Sequence, residues 1–144
     1  MDGMGVRSKQ LKVGLDLHGV LDAKPKLFGP LSSALVDAGH EVHIITGPEW
    51  SKKLENQLYD LEIYFTHFFS IVEYHKNRGT DMRIDEFGHV HLDPYLWDKT
   101  KGEYCARVGI DLHFDDSDTY GYFFKTPYAR FFSKDTPRAK KMSL

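Results

Sequence analysis

Two short apolar segments of this chain each run directly into aspartate side chains. Residues 11–15 are followed by Asp16, and residues 110–114 are followed by Asp115 and Asp116. Each segment is typical of a buried strand, and open α/β sheets bind their ligands beyond the carboxyl ends of the strands. Carboxylates gathered at such an edge can hold a small, hard cation such as Mg²⁺, while one of them attacks a substrate. We therefore interpret the chain as an enzyme whose site lies at these strand ends.

The segments that follow the first strand predict a parallel neighbour for it. After the strand at 11–15 and the loop at 16–22, the pattern predicts a helix over 30–38 and a strand over 40–46. Pro30 is tolerated in the first turn of such a helix, because its missing N–H has no partner there. A strand, a helix and a strand within about 35 residues form a βαβ unit, whose two strands run parallel.

The rest of the chain continues this alternation. In chain order we expect a helix capped by Ser51, an ambiguous strand or helix within 63–74, a hairpin of 82–85 with 89–92, a helix from Thr100 to about Gly109, a strand at 112–114, a short helix, and a last strand at 128–132. This order predicts a single domain over 1–144, with a three-layer, Rossmann-like α/β fold and a mainly parallel sheet. We expect no large cap, and three segments outside the core: a polar leader (1–9), an insertion that contains the hairpin and partly covers the site (62–95), and a basic tail (133–144).

Length and composition exclude several classes of protein. With 144 residues, the chain can form one core but is too short for a catalytic domain plus a large cap. Its net charge of −2 argues against a general nucleic-acid-binding protein, and no apolar run approaches the roughly 20 residues of a membrane span. The single Cys105 cannot form an intrachain disulfide, which favours a cytoplasmic location, and we expect it to be a small core residue.

Four motifs occur in an order that is specific, although each motif is short. They are Val13-Gly-Leu-Asp16-Leu-His18-Gly-Val-Leu, then Ile44-Ile45-Thr46-Gly47, then a lysine at Lys101 or Lys99, and finally Phe114-Asp115-Asp116-Ser117. In this order, over about residues 11–120, the chain resembles the haloacid dehalogenase-like superfamily of phosphoryl-transfer enzymes, in its branch with a minimal cap or none. The resemblance implies a Mg²⁺-dependent phosphatase that hydrolyses a phosphate monoester through an aspartyl-phosphate.

The resemblance also implies a role for each motif residue. Asp16 would be the nucleophile, and the hydroxyl of Thr46 and the amide of Gly47 would donate hydrogen bonds to phosphate oxygens. Lys101 would neutralise charge on the phosphoryl group and the nucleophile. Lys99 is the alternative, and Lys101 is preferred because it lies at the start of the helix that returns to the second acidic strand end. The implied ligands of Mg²⁺ are Asp16, the backbone carbonyl of His18, and Asp116, with Asp115 as a supporting or alternative ligand.

His18 departs from the pattern of the superfamily. Its phosphatases carry a second aspartate two residues after the nucleophile, which protonates the leaving group and then activates water. Three interpretations follow: His18 takes over as general acid and base, the aspartyl-phosphate forms but turns over slowly, or the protein binds a phosphorylated ligand as a scaffold without hydrolysing it. In the first case Mg²⁺ would lower the pKa of the imidazolium, so we expect an acid-shifted activity optimum.

The substrate and other partners are less well defined than the reaction. The first and last motifs resemble the small 5′-nucleotidase branch, which favours a small phosphorylated substrate such as a nucleotide; a polymer or protein phosphate stays open. Trp50 could line the mouth of the pocket. Aromatic residues of the insertion either stack on a nucleobase or pack against the core: Tyr64, Phe65, Phe68 and Phe69. A zinc site on the hairpin is a weaker alternative to ordinary surface histidines: His89 and His91 with Asp93. The sequence does not determine the oligomeric state.

Overall fold

The computed structural model describes residues 9–132, so the predicted leader, apart from Lys9, and the predicted tail at 133–144 lie outside the described residues. The elements in chain order are β1 (Lys12–Leu15), α1 (Pro25–Asp37), β2 (Glu41–Thr46), α2 (Lys52–Asp60), β3 (His67–Ser70), α3 (Ile71–Arg78), β4 (Arg83–Ile84), β5 (Val90–His91), α4 (Pro94–Val108), β6 (Leu112–Asp115), α5 (Asp118–Gly121) and β7 (Tyr128–Arg130). Strands β1, β2, β3, β6 and β7 form one parallel sheet, and β4 with β5 forms a separate antiparallel hairpin. The predicted three-layer, Rossmann-like α/β fold with a small hairpin is confirmed.

The strand order determines where a ligand can bind. Across the sheet the order is β3-β2-β1-β6-β7, so the chain moves from β1 to one edge and later returns to the other side of β1. In sheets of this kind, the crevice for ligands lies beyond the carboxyl ends of the strands at the point where the direction reverses. That point is between β1 and β6, where Leu15 pairs with Phe114. Both acidic strand ends recognised in the sequence therefore meet there.

Helices cover both faces of the sheet. One core cluster joins β1 and β2 to α1 and α2, and it includes Val13, Leu15, Val42, Ile44, Phe28, Leu54 and Leu58. A second cluster lies on the opposite face, under α3 and α4, and it includes Ile45, Phe69, Ile71, Tyr104, Cys105 and Ile110. Because alternate residues of a strand point to opposite faces, the apolar run of β2 supplies both clusters. Cys105 is fully buried, which confirms its predicted place in the core.

Two helices begin earlier than predicted. Helix α1 begins at Pro25 rather than at Pro30, and α4 begins at Pro94 rather than at Thr100. Each helix therefore has a proline in its first turn, where the missing N–H would have had no helical partner. Pro30 lies inside α1 and removes one backbone hydrogen bond, but Phe28, which is 1% exposed, holds this part of the helix against the core.

The segment at 63–74 contains both of the element types that its sequence allowed. Its middle is strand β3, and Ser70 then begins α3 by accepting a hydrogen bond from the amide of Glu73 at 3.0 Å. The segment at 62–95 is therefore not uniform, because β3 extends the main sheet whereas the hairpin lies outside it. In the described residues no large cap is present. Among the described helices, none has the length and apolar character needed to cross a membrane.

Candidate active site

A cleft of about 510 Å³ opens at the carboxyl ends of the central strands. Its lining includes most of the residues predicted for the site: Asp16, His18, Thr46, Gly47, Lys101 and Asp116. Asp115 does not line the cleft, because it is fully buried and contacts Lys101 instead. The fold thus brings all the predicted site residues to one place.

Asp16 is held at the end of β1 by its own backbone and by the loop that follows. Its amide donates to the carbonyl of Phe114 at 3.0 Å, and its Oδ1 accepts a hydrogen bond from the amide of Leu17 at 2.9 Å. The loop makes a wide turn in which the amide of Asp22 donates to the carbonyl of Leu17 at 3.1 Å. The apolar residues of this turn are fully buried and anchor it to the core: Leu17, Val20 and Leu21.

Gly19 is the position at which this loop requires glycine. Its φ of 88° lies in the left-handed region, which residues with a Cβ disfavour. A Cβ at this position would also overlap Oδ2 of Asp116. Glycine therefore allows the carboxylate of Asp116 to lie directly against the loop that follows Asp16.

Lys101 is the lysine that reaches the predicted nucleophile. It lies on α4, is 2% exposed, and places Nζ 3.0 Å from Oδ1 of Asp16 and 2.9 Å from Oδ2 of Asp115. The other candidate, Lys99, forms a surface pair with Glu103 at 3.6 Å. Of the two alternatives left by the sequence, the contacts therefore favour Lys101.

Asp115 fixes the position of Lys101. Its Oδ2 accepts hydrogen bonds from Nζ of Lys101 and, when His113 carries a proton on Nε2, from that ring at 2.9 Å. Its Oδ1 accepts a hydrogen bond from the amide of Ser117 at 3.1 Å. With both oxygens engaged, Asp115 holds the lysine in place beside Asp16.

Burial and neighbouring charges set the ionisation of these groups. Burial raises the pKa of Asp16 to about 8, an effect that Lys101 partly offsets and that Asp115 reinforces. Burial also acts to raise the pKa of Asp115, but Lys101 and the hydrogen bond from His113 outweigh it, so this pKa lies well below its ordinary value. Burial acts to lower the pKa of Lys101, but the two carboxylates outweigh it and raise this pKa. The negative charge of the acids is therefore only partly offset by the lysine.

Three carboxylates at the cleft lie close enough to share one cation. One oxygen from each of Asp16, Asp115 and Asp116 lies within 4.8 Å of the others. Carboxylate oxygens suit Mg²⁺, and a cation would favour the ionised form of Asp16, whose pKa is raised mainly by burial and further by the neighbouring carboxylates. Asp16 and Asp116 line the cleft, whereas Asp115 lies behind it with both oxygens accepting hydrogen bonds, so Asp16 and Asp116 are better placed to bind an ion directly. The donor set therefore fits Mg²⁺, with Asp115 in a supporting role.

Thr46, the last residue of β2, carries an unpaired hydroxyl group. The residue is 1% exposed, yet within the described residues its Oγ1 has no hydrogen-bond partner. Leaving a buried hydroxyl unpaired costs about 1–3 kcal/mol, so a ligand that bonds with it would recover this free energy. The next residue, Gly47, is fixed by its carbonyl, which accepts hydrogen bonds from the hydroxyl of Ser70 at 2.9 Å and the amide of Val72 at 3.1 Å.

Asp22, to which the sequence interpretation assigned no role, is paired with His18. Nδ1 of His18 lies 3.2 Å from Oδ2 of Asp22, whose Oδ1 accepts a hydrogen bond from the amide of Gly19 at 2.7 Å. The hydrogen bond with Asp22 is the main cause that raises the pKa of His18. The His18 side chain is 59% exposed and lines the cleft. No local pattern in the sequence indicates this pair, because only the wide turn after β1 brings the two side chains together.

The aromatic residues that line the cleft differ from those that the sequence suggested. Trp97 of α4 and Tyr120 of α5 line it, and Nε1 of Trp97 donates to the hydroxyl of Tyr120 at 2.7 Å. Trp97 was missed because the predicted helix began at Thr100, which left Trp97 without a helical position relative to Lys101. In α4 the two residues are four apart and share a face.

Trp50 and the aromatic residues near β3 do not line the cleft. The ring of Trp50 packs against Phe65 and Phe68, with centroids 6.0 and 5.1 Å apart, and the expectation that Trp50 lines the mouth is wrong. Phe65 and Phe68 pack against the first core cluster, Phe69 belongs to the second, and Tyr64 is exposed. Among the described residues, none from the hairpin lines the cleft either.

Comparisons of the chain with family models, with curated proteins and with solved structures find no match. The resemblance to the haloacid dehalogenase-like superfamily therefore stays a prediction, which rests on the four motifs and on the contacts described above.

Proposed function

We propose that this chain is a Mg²⁺-dependent phosphatase of the haloacid dehalogenase-like type, which hydrolyses a phosphate monoester through an aspartyl-phosphate at Asp16. The observation that carries the proposal is Thr46, which lines the cleft together with Asp16 and Lys101 and whose buried hydroxyl has no hydrogen-bond partner in the described part of the chain. A free donor beside a carboxylate and an ammonium suits an anionic group with several oxygens. A phosphoryl group has this chemistry.

The contacts of Asp16 suit a nucleophile. Its Oδ1 accepts hydrogen bonds from Lys101 and from the amide of Leu17, which fixes the orientation of the carboxylate. In the first half-reaction, an oxygen of Asp16 bonds to phosphorus while the bond to the leaving oxygen breaks and that oxygen takes a proton. In the second, water attacks phosphorus, gives up a proton, and releases phosphate and the Asp16 carboxylate. Lys101 would offset the negative charge of the phosphoryl oxygens in both steps.

The proposed magnesium site uses carboxylates from both acidic strand ends. Asp16 and Asp116 would hold the ion together with the backbone carbonyl of His18, and Asp115 would support the site by fixing Lys101. When bound, Mg²⁺ supplies positive charge that favours ionised Asp16 and stabilises phosphoryl oxygens. Gly19 contributes by leaving room for the carboxylate of Asp116 beside the loop.

His18 would act as the general acid and base in place of the missing aspartate. Its contact with Asp22 supports this role, because a carboxylate on Nδ1 orients the ring and leaves Nε2 to exchange a proton. The exposure of the imidazole at the cleft gives it access to a leaving group and to water.

We propose a small phosphate monoester as the substrate, with a nucleotide as one candidate. Trp97 and Tyr120 provide the aromatic surface against which a leaving group would pack. Phe65, Phe68 and Phe69 do not provide a stacking surface for a nucleobase, because Phe65 and Phe68 pack against the first core cluster and Phe69 is buried in the second.

Hydrolysis of p-nitrophenyl phosphate by the purified chain tests the proposal. The assay is run from about pH 5 to about pH 8, where imidazole titrates, with either Mg²⁺ or EDTA. We expect hydrolysis with Mg²⁺, none with EDTA, and none in Asp16→Asn. The matched control is Asp37→Asn, which neutralises an exposed aspartate outside the cleft and should leave the rate unchanged.

The alternative function is binding of a phosphorylated ligand without hydrolysis, and the same proteins distinguish it. In that case the wild type shows no turnover but binds beryllofluoride in the presence of Mg²⁺, and Asp16→Asn does not. Absence of both turnover and the beryllofluoride adduct would contradict the phosphatase and the binding protein alike.

A further inference from the structure

Strands β2 and β3 bring two histidines and a glutamate together, away from the active-site cleft. Glu41 begins β2 whereas Thr46 ends it, so the two lie roughly 16 Å apart along the strand. We propose that Glu41, His43 and His67 form a second metal site, which binds a divalent transition ion such as Zn²⁺.

The strand register creates this cluster. Glu41 and His43 are two residues apart on β2, so their side chains lie on the same face of the sheet. His43 pairs directly with His67 on the neighbouring parallel strand. The sequence separation of the two histidines gave no sign of a shared site, because only the pairing of β2 with β3 places them side by side.

The distances between the three side chains are close to those of a tetrahedral zinc site. Oε1 of Glu41 lies 2.8 Å from Nε2 of His43 and 3.9 Å from Nδ1 of His67, and one ligand atom from each residue lies within 4.8 Å of the others. With bonds of about 2.0–2.1 Å, two ligands of a tetrahedral Zn²⁺ lie about 3.3 Å apart. The two observed distances lie on either side of this value, each within about 0.6 Å of it.

One side chain must turn before an ion can bind. The rings of His43 and His67 are stacked, with centroids 4.2 Å apart and planes 7° apart, whereas a metal lies in the plane of each ring that binds it. His43 is 2% exposed and stays in place, but the side chain of His67 is 48% exposed. Rotation of His67 exchanges its 2.8 Å contact with the hydroxyl of Thr66 for a bond to the ion.

The contacts behind His43 are those expected of a metal ligand. Nδ1 of His43 lies 2.7 Å from the hydroxyl of Tyr104, and the ring of Tyr104 is itself stacked on Phe69. Without a metal, the 2.8 Å contact with the Glu41 carboxylate requires a proton on Nε2; metal binding would shift this proton to Nδ1, which would donate it to the hydroxyl of Tyr104 and leave Nε2 to bind the ion.

The donor set selects the class of metal and the expected strength of binding. Two imidazoles and one carboxylate suit Zn²⁺ and other transition ions better than Mg²⁺ or Ca²⁺, which prefer oxygen ligands throughout. The exposed side of the cluster, at His67, leaves room for water as a further ligand. Lys12 pairs opposite Glu41, and although its ammonium donates to the carbonyl of Val108, its charge lowers the affinity for a cation.

Calorimetric titration of the EDTA-treated, untagged full chain with Zn²⁺ tests the proposal. Because carboxylates of the cleft also attract cations, the titration is repeated in Asp16→Asn, which should retain the new site. We expect His67→Ala and Glu41→Gln each to weaken this binding event about tenfold or more. The matched control is His89→Ala, which removes an exposed hairpin histidine that pairs with Asp85 and should leave the affinity unchanged.

Thermal unfolding separates loss of the site from loss of the fold. Zn²⁺ should raise the Tm of the wild type, because it binds the folded state, and should have little effect on the Tm of His67→Ala. A Tm of metal-free His67→Ala near that of the metal-free wild type shows that the variant is folded, and Glu41→Gln is the second test if it is not. The proposal is overturned if the wild type binds no Zn²⁺, or if neither variant changes the affinity.

Discussion

The ammonium of Lys101 lies 3.0 Å from Oδ1 of Asp16, and both side chains are almost completely buried. Oδ2 of Asp115 also contacts this ammonium, at 2.9 Å. Because Asp16 is buried and shares its one lysine with Asp115, further positive charge at the cleft would favour the ionised form of Asp16. The predictions below follow from this dependence and from the neighbouring polar contacts.

Replacement of Lys101 by methionine should destabilise the fold far more than the same change at Lys99. Lys101→Met leaves two buried acids without their cation, and breaking a buried ion pair costs about 3–5 kcal/mol. Lys99→Met removes a surface contact with Glu103 and the contact of the ammonium with the ring of Tyr95, so its effect should stay within about 1 kcal/mol. Urea unfolding in EDTA at about pH 8 or above, where Asp16 is ionised to a large extent, measures both changes. Equal losses in the two variants would contradict the shared ion pair.

Replacement of Thr46 by valine should weaken phosphate binding without a loss of stability. Valine has nearly the same shape and removes a buried hydroxyl that has no partner in the described residues. A hydrogen bond to a charged group contributes about 1.5–3 kcal/mol, so the KM for p-nitrophenyl phosphate should rise about tenfold or more.

Thr100→Val is the matched control for that change. The hydroxyl of Thr100 is also buried but contacts Nε2 of His75 at 2.8 Å and the carbonyl of Leu96. Its loss should lower the free energy of unfolding by about 1–3 kcal/mol, because it leaves a buried partner unpaired. A loss of stability in Thr46→Val as large as that in Thr100→Val would show that the Thr46 hydroxyl has a structural partner.

Stability in EDTA should depend on pH through Asp16. Its pKa is about 8 in the folded protein and 3.8 ordinarily, so between these values the folded state keeps a proton that the unfolded state releases. The stabilisation from this proton is present at low pH and is lost as the pH rises through the folded-state pKa. We therefore expect Asp16→Asn to become progressively more stable than the wild type from about pH 5 to about pH 8.

Urea unfolding of both proteins at several pH values measures this difference. Histidines remote from Asp16 titrate alike in both proteins and cancel from it, whereas His18 contributes, because the charge of Asp16 adds to the effect of Asp22 on its pKa. Added Mg²⁺ should reduce it, because the ion favours the carboxylate that only the wild type carries. A difference that does not change with pH would contradict the raised pKa of Asp16.

His18→Asn should lower kcat by about 10²–10⁴, the usual contribution of a general acid–base group. Asp22→Asn should act through the pH profile, since the hydrogen bond from Asp22 raises the pKa of His18. In Asp22→Asn the pKa of His18 should be lower, so the imidazolium that acts as general acid is lost at a lower pH. The high-pH limb of the kcat/KM profile should therefore move to lower pH. The hydrogen bond with Asp22 raises the pKa of His18, whereas a nearby Mg²⁺ would lower it. This hydrogen bond therefore opposes the acid-shifted activity optimum that the sequence predicts. An unchanged pH profile in His18→Asn would exclude His18 from proton transfer.

The sheet and the acidic strand ends were predictable because local patterns encode them. β-branched runs, a βαβ spacing and acids directly after apolar residues identify the strands and the edge at which they end, as at Asp16 and Asp115. The lysine was implied by the resemblance to the superfamily, and its place on the helix that precedes β6 favoured Lys101 over Lys99. The contacts then explain why it, rather than Lys99, reaches the cleft.

Other features depend on contacts that no local pattern records. Trp97 lines the cleft because it lies on α4, which begins six residues before the predicted start, with Pro94 in its first turn. The wide turn after β1 brings Asp22 into contact with His18. The register of β2 with β3 places His43 beside His67. Each of these depends on how the backbone is paired or turned in three dimensions.

Covalent attachment of phosphate to Asp16 is the central chemical step of the proposed reaction, and a single-turnover experiment measures it directly. The protein, in excess over a labelled phosphate monoester and with Mg²⁺ present, is quenched in acid, and the phosphate is located by peptide mass spectrometry. With p-nitrophenyl phosphate, whose p-nitrophenolate can leave without a proton, loss of His18 slows mainly the breakdown of the aspartyl-phosphate. We therefore predict phosphate on the peptide that carries Asp16, in higher yield in His18→Asn. Hydrolysis of the substrate without phosphate on Asp16 in either protein would contradict the proposal.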